Sequence, residues 1–227
     1  KRARKSLSLF GDTKQQMNSH GSNIKDIAEG LDSKQMSLDY NYRLPKAIAK
    51  VAQQIIGGGV DLMSNNQKDG GNSDYPNYPK PIITQYANPE KELEGILTRI
   101  QMEDLDDVAI LVPSDKEVMM VNDYLANHGI KTQVMYRTGN TVPFRTVNTL
   151  DFSNNDLPCI LTYYAAKGSE FDNVFVPFAN TSNDCSRNSF YVACTRSSRS
   201  LYISYSGTKT KYLSDVNSDF ITELKAA

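Results

Sequence analysis

Val108-Ala109-Ile110-Leu111-Val112 is followed, after Pro113, by Ser114 and a run to His128 that Gly129 stops. The five apolar residues read as a strand, and the run from Ser114 reads as a helix with a serine cap at its start and a glycine at its end. Working outward, the same pair recurs upstream, as a strand over 82–85 and a helix over 89–100, and a further strand follows over 131–135. Strands alternating with helices predict an α/β domain, with a mainly parallel sheet covered by helices on both faces.

The alternation continues downstream. Residues 136–155 have no regular period, and then strands are predicted over 159–162 and 174–178, a helix over 186–196, a strand over 200–204 and a final helix from about Val216. Upstream, Leu7 to Phe10 reads as a strand running into Gly11-Asp12, and Ser22 or Asn23 caps a short helix to Gly30. Residues 35–42 read as extended. Pro45 begins a helix over 46–56, with Ile48, Val51, Ala52 and Ile55 on one face and Gly57-Gly58-Gly59 at its end. From there to about Pro81 the chain is rich in Gly, Asn, Ser and Pro, the composition of a surface loop. There is no internal repeat.

At 227 residues the chain has room for one domain and an additional piece. Its 39% hydrophobic and 22% charged composition is that of a globular protein, and no apolar run approaches the roughly 20 residues that span a bilayer. No membrane partner is expected, and the predicted location is the cytoplasm. A formal charge of -1 gives no global basic signature, so a nucleic-acid contact would rest on local patches. Cys159, Cys185 and Cys194 lack the paired spacing of a zinc or redox site and read as reduced thiols. His20 and His128 have no metal-ligand spacing, so no metal site is expected in this chain, and no serine sits in a Gly-x-Ser-x-Gly elbow. The basic opening is not followed by the apolar segment of a secretory signal, and the missing initiator Met and a first strand with nothing before it to pair with point to a piece of something longer.

Four short segments carry candidate chemistry. Gln15, after Gly11-Asp12, offers an amide that can sense a phosphate oxygen or an attacking water, although a turn with a solvated glutamine is the simpler reading of these residues alone. Asn41-Tyr42-Arg43 puts a ring and a permanently charged fork before a helix; the ring can stack on a base and the fork matches phosphate, or Tyr42 packs in the core and Arg43 meets a carboxylate. In Thr162-Tyr163-Tyr164-Ala165-Ala166-Lys167-Gly168-Ser169-Glu170-Phe171-Asp172, Glu170 can accept from a ribose hydroxyl and Thr162 can reach a backbone phosphate, or Lys167 and Glu170 form an exposed pair. Arg196 ends Tyr191-Val192-Ala193-Cys194-Thr195-Arg196, and an arginine on an apolar helix face requires an anion, as an arginine finger does.

These segments resemble, in order and spacing, motifs III, IV, V and VI of the UvrD/Rep/PcrA-like superfamily 1 helicases. Thr162, Lys167, Gly168, Glu170 and Phe171 match Thr-x-x-x-x-Lys-Gly-x-Glu-Phe, while Tyr164 replaces a common His and Ser169 a usual Leu. The resemblance implies a RecA-like doubly wound domain of the P-loop NTPase type without a P-loop of its own. Its ligands are then expected at the carboxyl ends of the strands. It also implies a domain division: residues 1–35 as the tail of a preceding motor domain, 36–213 as the second RecA-like domain, and 214–227 as a C-terminal helix.

By the same resemblance, ATP with Mg²⁺ lies between two motor domains, and the Mg²⁺ is held by the other, N-terminal one, since no Asp-Glu pair ends a strand before Gly11. Gln15, Tyr42, Arg43, Glu170 with Gly168, and Arg196 face the nucleotide, with Arg43, Arg196 and Gln15 as the catalytic set. Thr162, Lys167 and His20 face single-stranded DNA; Asn18 and His20 stand where the family has a Tyr and a Trp. Arg187 resembles the first Arg of motif VI. The implied activity is that of an ATP-dependent DNA helicase, with this chain alone inactive. Two rivals keep the fold: a HelD-type factor acting on RNA polymerase, whose motifs these segments also resemble, and a non-catalytic interaction module.

Overall fold

The computed structural model describes residues 15, 24–31, 43–59, 61–63, 78–139, 145–181 and 185–226. In chain order these form helices α1 (Ile24–Gly30) and α2 (Lys46–Ile56), then β1 (Ile82–Tyr86), α3 (Pro89–Met102), β2 (Val108–Val112) and α4 (Asp115–Asn127). There follow β3 (Gln133–Thr138), β4 (Arg145–Asn148), β5 (Cys159–Thr162), β6 (Phe171–Val176), α5 (Arg187–Cys194), β7 (Ser197–Ser206) and, after two short 3₁₀ turns, β8 (Thr222–Lys225). The predicted strands at 7–10 and 35–42 lie outside the described residues.

The sheet has eight strands in the order β4-β3-β5-β2-β6-β7-β1-β8. Every neighbouring pair is parallel except β3 and β4, which are antiparallel. All five residues of β2 are buried, as a central strand covered on both faces requires. On one face α2 and α5 bring Ile48, Val51, Ile55 and Phe190 against Leu161, Val174 and Leu201. On the other, α3 and α4 bring Leu93, Ile96, Val118, Val121 and Leu125 against Ile110, Ile160 and Phe175. Each such side chain taken fully out of water contributes about 1.5–3 kcal/mol, so the two helical layers fix the sheet between them.

Local signals explain the helix boundaries. The Asn88 side chain accepts from Lys91 N and Pro89 opens α3; Ser114 caps α4 by accepting from Lys116 N, and Ser186 caps α5 by accepting from Ser189 N. Gly57, Gly58 and Gly59 all have positive φ, which ends α2.

Three expectations are corrected. The chain from 214 on is not a helix. It forms a 3₁₀ turn at Ser218–Phe220 and then β8, which pairs parallel with β1 from Ile82↔Thr222 to Gln85↔Lys225. This segment is tied down by partners distant in sequence, which no helical period announces: Asn217 N donates to Gln54 Oε1 at 2.8 Å, and Lys50 lies over the Phe220 ring. The sheet of the RecA-like domain therefore includes residues beyond 213. Second, 145–148, within the stretch without a period, is the antiparallel edge strand β4, whose exposed polar residues carry no hydrophobic alternation. Third, β6 begins at Phe171, three residues earlier than predicted, because Phe171 N donates to Arg196 O at 3.0 Å and so starts the ladder with β7.

Between β5 and β6 the chain crosses from one edge of the sheet to the other without a helix. Residues 163–170 form consecutive turns packed on the α2 and α5 face through Tyr163 and Ala166. Gly168 has φ +93° within this crossover, a conformation that other residues adopt only with strain.

One buried charge has an electrostatic signature. Glu92 of α3 is fully buried and accepts from Phe178 N and Ser204 Oγ, both at 2.8 Å. Burial raises its pKa, and the bonds from Phe178, Ser204 and Ser206 offset only part of that rise. A carboxyl whose folded pKa is raised stabilises the fold fully below its unfolded pKa and loses that contribution as pH climbs through the folded value. The Tm difference between Glu92→Gln and the wild type should therefore move in the variant's favour from about pH 4 to pH 8. A pH-independent difference in thermal melts would show that Glu92 titrates alike in both states.

Candidate functional site

The predicted site residues separate to opposite edges of the sheet. Glu170 immediately precedes β6 and Arg196 immediately precedes β7, so both stand at the amino edge. Arg43, in the turn before α2, reaches the same place: its Nε is 3.7 Å from Glu170 Oε2. These three therefore stand at the amino edge and not at the carboxyl ends, where ligands are expected in this fold. The crossover after β5 is built of turns and carries Glu170 across the sheet's face to the amino edge, where β6 starts.

Arg196 is 1% exposed and its head is held by the backbone. Its Nε donates to Val192 O at 2.9 Å, its Nη1 to Ser169 O at 3.3 Å and its Nη2 to Thr195 Oγ1 at 3.2 Å. The cation thus sits at the carboxyl end of α5, where the helix dipole favours it, and braces the turn that carries Glu170. The other side of Glu170 is anchored as well. Asp172 N donates to Asp107 Oδ2 at 2.8 Å, and Ser198 Oγ donates to Asp172 Oδ1 at 2.5 Å, which joins the starts of β2, β6 and β7. Burial raises the Asp107 pKa, opposed by the bond from Asp172. Sequence reasoning assigned no role to Asp107 or Ser198, and their only signal was a position at the mouth of a strand.

Arg43 and Glu170 remain accessible, at 37% and 44% side-chain exposure. The amino edge therefore presents one guanidinium and one carboxylate to solvent, with a second guanidinium buried behind them. That set can bind a phosphate through Arg43 and a hydroxyl through Glu170. Gly168 and Lys167 lie exposed on the crossover. Gln15 is half-buried, while Tyr42, Asn18 and His20 lie outside the described residues.

Arg187 has a different task. Its Nη1 donates to Ile55 O at 2.9 Å and its guanidinium lies 5.3 Å from the Tyr212 ring centroid, so it closes the carboxyl end of α2.

Thr162 ends β5 at the carboxyl edge. Its Oγ1 accepts from Ala165 N at 3.1 Å and its carbonyl from Ala166 N at 3.0 Å, so the start of the crossover is pinned. A groove of about 760 Å³ opens there between Thr162, the start of α4 and the end of β3.

Among the described residues no group of three or more His, Cys, Asp or Glu could hold a metal ion, and no helix is long and apolar enough to cross a membrane. None of the three cysteines is in a disulfide, and burial pushes the Cys159 thiol up to about 11 and the Cys194 thiol higher still.

An eight-stranded, mostly parallel sheet with helices on both faces and this pair of edges defines a RecA-like α/β domain. Residues 158–204, from β5 through most of β7, match the family model of the UvrD-like helicase C-terminal domain. That stretch, about a fifth of the chain, is similar to the C-terminal domain of UvrD-like helicases. Among solved structures it is similar to the C-terminal domain of a possible DNA helicase from Lactobacillus plantarum WCFS1, at 20% identity and a TM-score of 0.59, covering 82% of this chain and 99% of that one. That likeness shows the fold. It is also similar to an arterivirus helicase, nonstructural protein 10, at 9% identity, 64% and 34% coverage and a TM-score of 0.44. The same viral helicase solved with DNA gives 8% identity, 64% and 35% coverage and a TM-score of 0.45. These two looser likenesses carry no argument. No curated protein matches the chain.

Proposed function

We propose that this chain is the second motor domain of an ATP-dependent superfamily 1 DNA helicase and contributes half of an ATP site that a first motor domain of the same protein completes. The observation that carries the proposal is the meeting of Arg43 with Glu170, residues remote in sequence, over the buried Arg196. In this reading Arg43 binds the γ-phosphate, Glu170 beside Gly168 binds the ribose, and Arg196 supplies charge behind them while holding the Glu170 turn in place. Tyr42 packs on the base and Gln15 orients the attacking water. Mg²⁺ belongs to the partner domain. Thr162, Lys167 and His20 belong to the single-strand track, with Thr162 on the opposite edge from the nucleotide.

Arg43 and Glu170 neutralise each other without nucleotide. An arriving phosphate would take the guanidinium while the sugar takes the carboxylate, so both partners are released to the ligand together. The exposure of the pair keeps the exchange inexpensive, since such pairs contribute about 0–1 kcal/mol.

The test is steady-state ATPase of a protein holding both motor domains, with and without single-stranded DNA. Turnover that DNA stimulates supports the helicase reading. Turnover indifferent to DNA, with capture of RNA polymerase, would transfer the same site to a polymerase factor, and absence of turnover would return the domain to an interaction module.

A further inference from the structure

We infer that the outer side of β8 is a self-pairing edge, at which two copies of this chain join their sheets in antiparallel register about Leu224. The inference stands apart from the helicase reading, since it uses no residue of the nucleotide site or of the single-strand track.

The direction of the backbone groups comes first. β8 ends the sheet and pairs with β1 on its inner side, and among the described residues no strand covers its outer side. Thr222 N donates to Pro81 O and Ala226 N to Gln85 O, both at 2.9 Å. Along a strand every second residue turns its backbone groups toward the same neighbour, so Thr222, Leu224 and Ala226 serve β1. Glu223 and Lys225 therefore turn their N–H and C=O groups outward, and such a row is a template for another strand.

The residues of the edge select both register and partner. Outward groups bond only where outward residues come opposite one another. Centred on Glu223, an antiparallel copy would set two carboxylates face to face, and centred on Lys225 two ammonium groups; like charges directly opposite are destabilising. Centred on Leu224, Glu223 of each copy meets Lys225 of the other. These two are the hydrogen-bonded pairs, and Leu224 meets its own copy in the closer, non-hydrogen-bonded pair between them. Leu224 is 43% exposed in the single chain, and this contact takes it out of water.

The surroundings fit the same arrangement. Glu223 Oε1 accepts from Lys209 Nζ at 2.8 Å, which aims the carboxylate and leaves Oε2 for Lys225 of the second copy. Leu224 is in register with Thr84 and so shares a face of the sheet with Tyr86. A groove of about 550 Å³ beside α3 is lined by Tyr86, Met102 and Ala226, and Met102 is 81% exposed, so the Leu224 pair continues an apolar margin already present. A short edge strand with a lysine resists pairing in general. That resistance is lifted by a strand that sets an acid opposite Lys225 and a base opposite Glu223, and Glu223-Leu224-Lys225 does both for itself. Because the same patch serves both copies, the contact closes at a dimer.

The experiment is sedimentation velocity of the 227-residue chain over a wide range of concentration, where a monomer–dimer equilibrium is expected. Lys225→Glu sets carboxylate against carboxylate in both charged pairs and should raise the dissociation constant about tenfold or more. Adding Glu223→Lys to that variant restores opposite charges and should return the constant toward the wild-type value; the Lys209 contact it gives up is an exposed pair of little weight. Lys225→Pro removes an N–H that serves only the second copy and should abolish the dimer, while thermal melting of the dilute protein stays near that of wild type. Circular dichroism checks that the variants fold. A chain that stays monomeric at its highest soluble concentration would overturn the inference, as would a double variant that associates no more tightly than Lys225→Glu. A mass that climbs past the dimer would assign the edge to β4 of the next copy and would overturn the twofold pairing.

Discussion

Arg196→Ala is expected to destabilise the domain by about 3–5 kcal/mol, because it removes one buried side chain that serves three acceptors at once. Val192 O, Ser169 O and Thr195 Oγ1 each lose a donor from a residue that is 1% exposed. The Ser169 bond matters beyond its energy, since it fixes the turn that sets Glu170 at the amino edge. In a two-domain protein the same change should lower ATPase by about a thousandfold. Urea unfolding of the chain and turnover of the larger protein read these effects separately. Because the alanine variant is at risk of not folding, Arg196→Lys is the companion: it keeps the charge, reaches one acceptor in place of three, and should fall between the two in stability. An alanine variant as stable as wild type would mean that the brace carries no energy.

Arg43→Ala should show the opposite division. Its pair with Glu170 is exposed at 37% and 44% and spans 3.7 Å, so its loss should change stability by less than about 1 kcal/mol. Turnover should fall by about a hundredfold or more, since a fork that meets the transferring phosphate acts where charge develops. Thermal melting and kcat on the same preparation give both numbers. Undiminished turnover would remove Arg43 from the site. Taken as a pair, the two arginines separate support from contact: one is built into the fold and the other rests on its surface.

Much of this architecture was legible in the sequence, and for identifiable reasons. Val108–Val112 and Cys159–Thr162 are apolar runs bounded by turn residues, and both strands have the predicted bounds. Asn88, Ser114 and Ser186 cap their helices with their own side chains, so those helix starts are encoded locally. The elements that were missed take their order from distant partners. The β4 strand is polar and exposed and exists through its register with β3, and β8 is exposed throughout yet is ordered by β1.

For the candidate site, what the structure adds is position. Motif spacing selected Arg43, Glu170 and Arg196, and the fold brings these three to one edge. What motif spacing did not convey is the edge: Glu170 and Arg196 stand directly before β6 and β7, and the start of a strand in this parallel sheet is the amino edge. Arg187 shows the limit from the other side: its similarity to a motif arginine says nothing of the carbonyl of Ile55, which only the packing of α5 on α2 provides.

The crossover at 163–170 places the two edges mechanically in series. In the proposed helicase, a pull on Thr162 from a strand and a pull on Glu170 from a nucleotide would load the same few residues, gripped at one end by the Thr162 bonds and at the other by Arg196. Slack inserted between those grips would leave each end free to hold its ligand while neither felt the other. The working part of such a domain is then the tautness of this segment, with the sheet serving as the frame across which it is stretched.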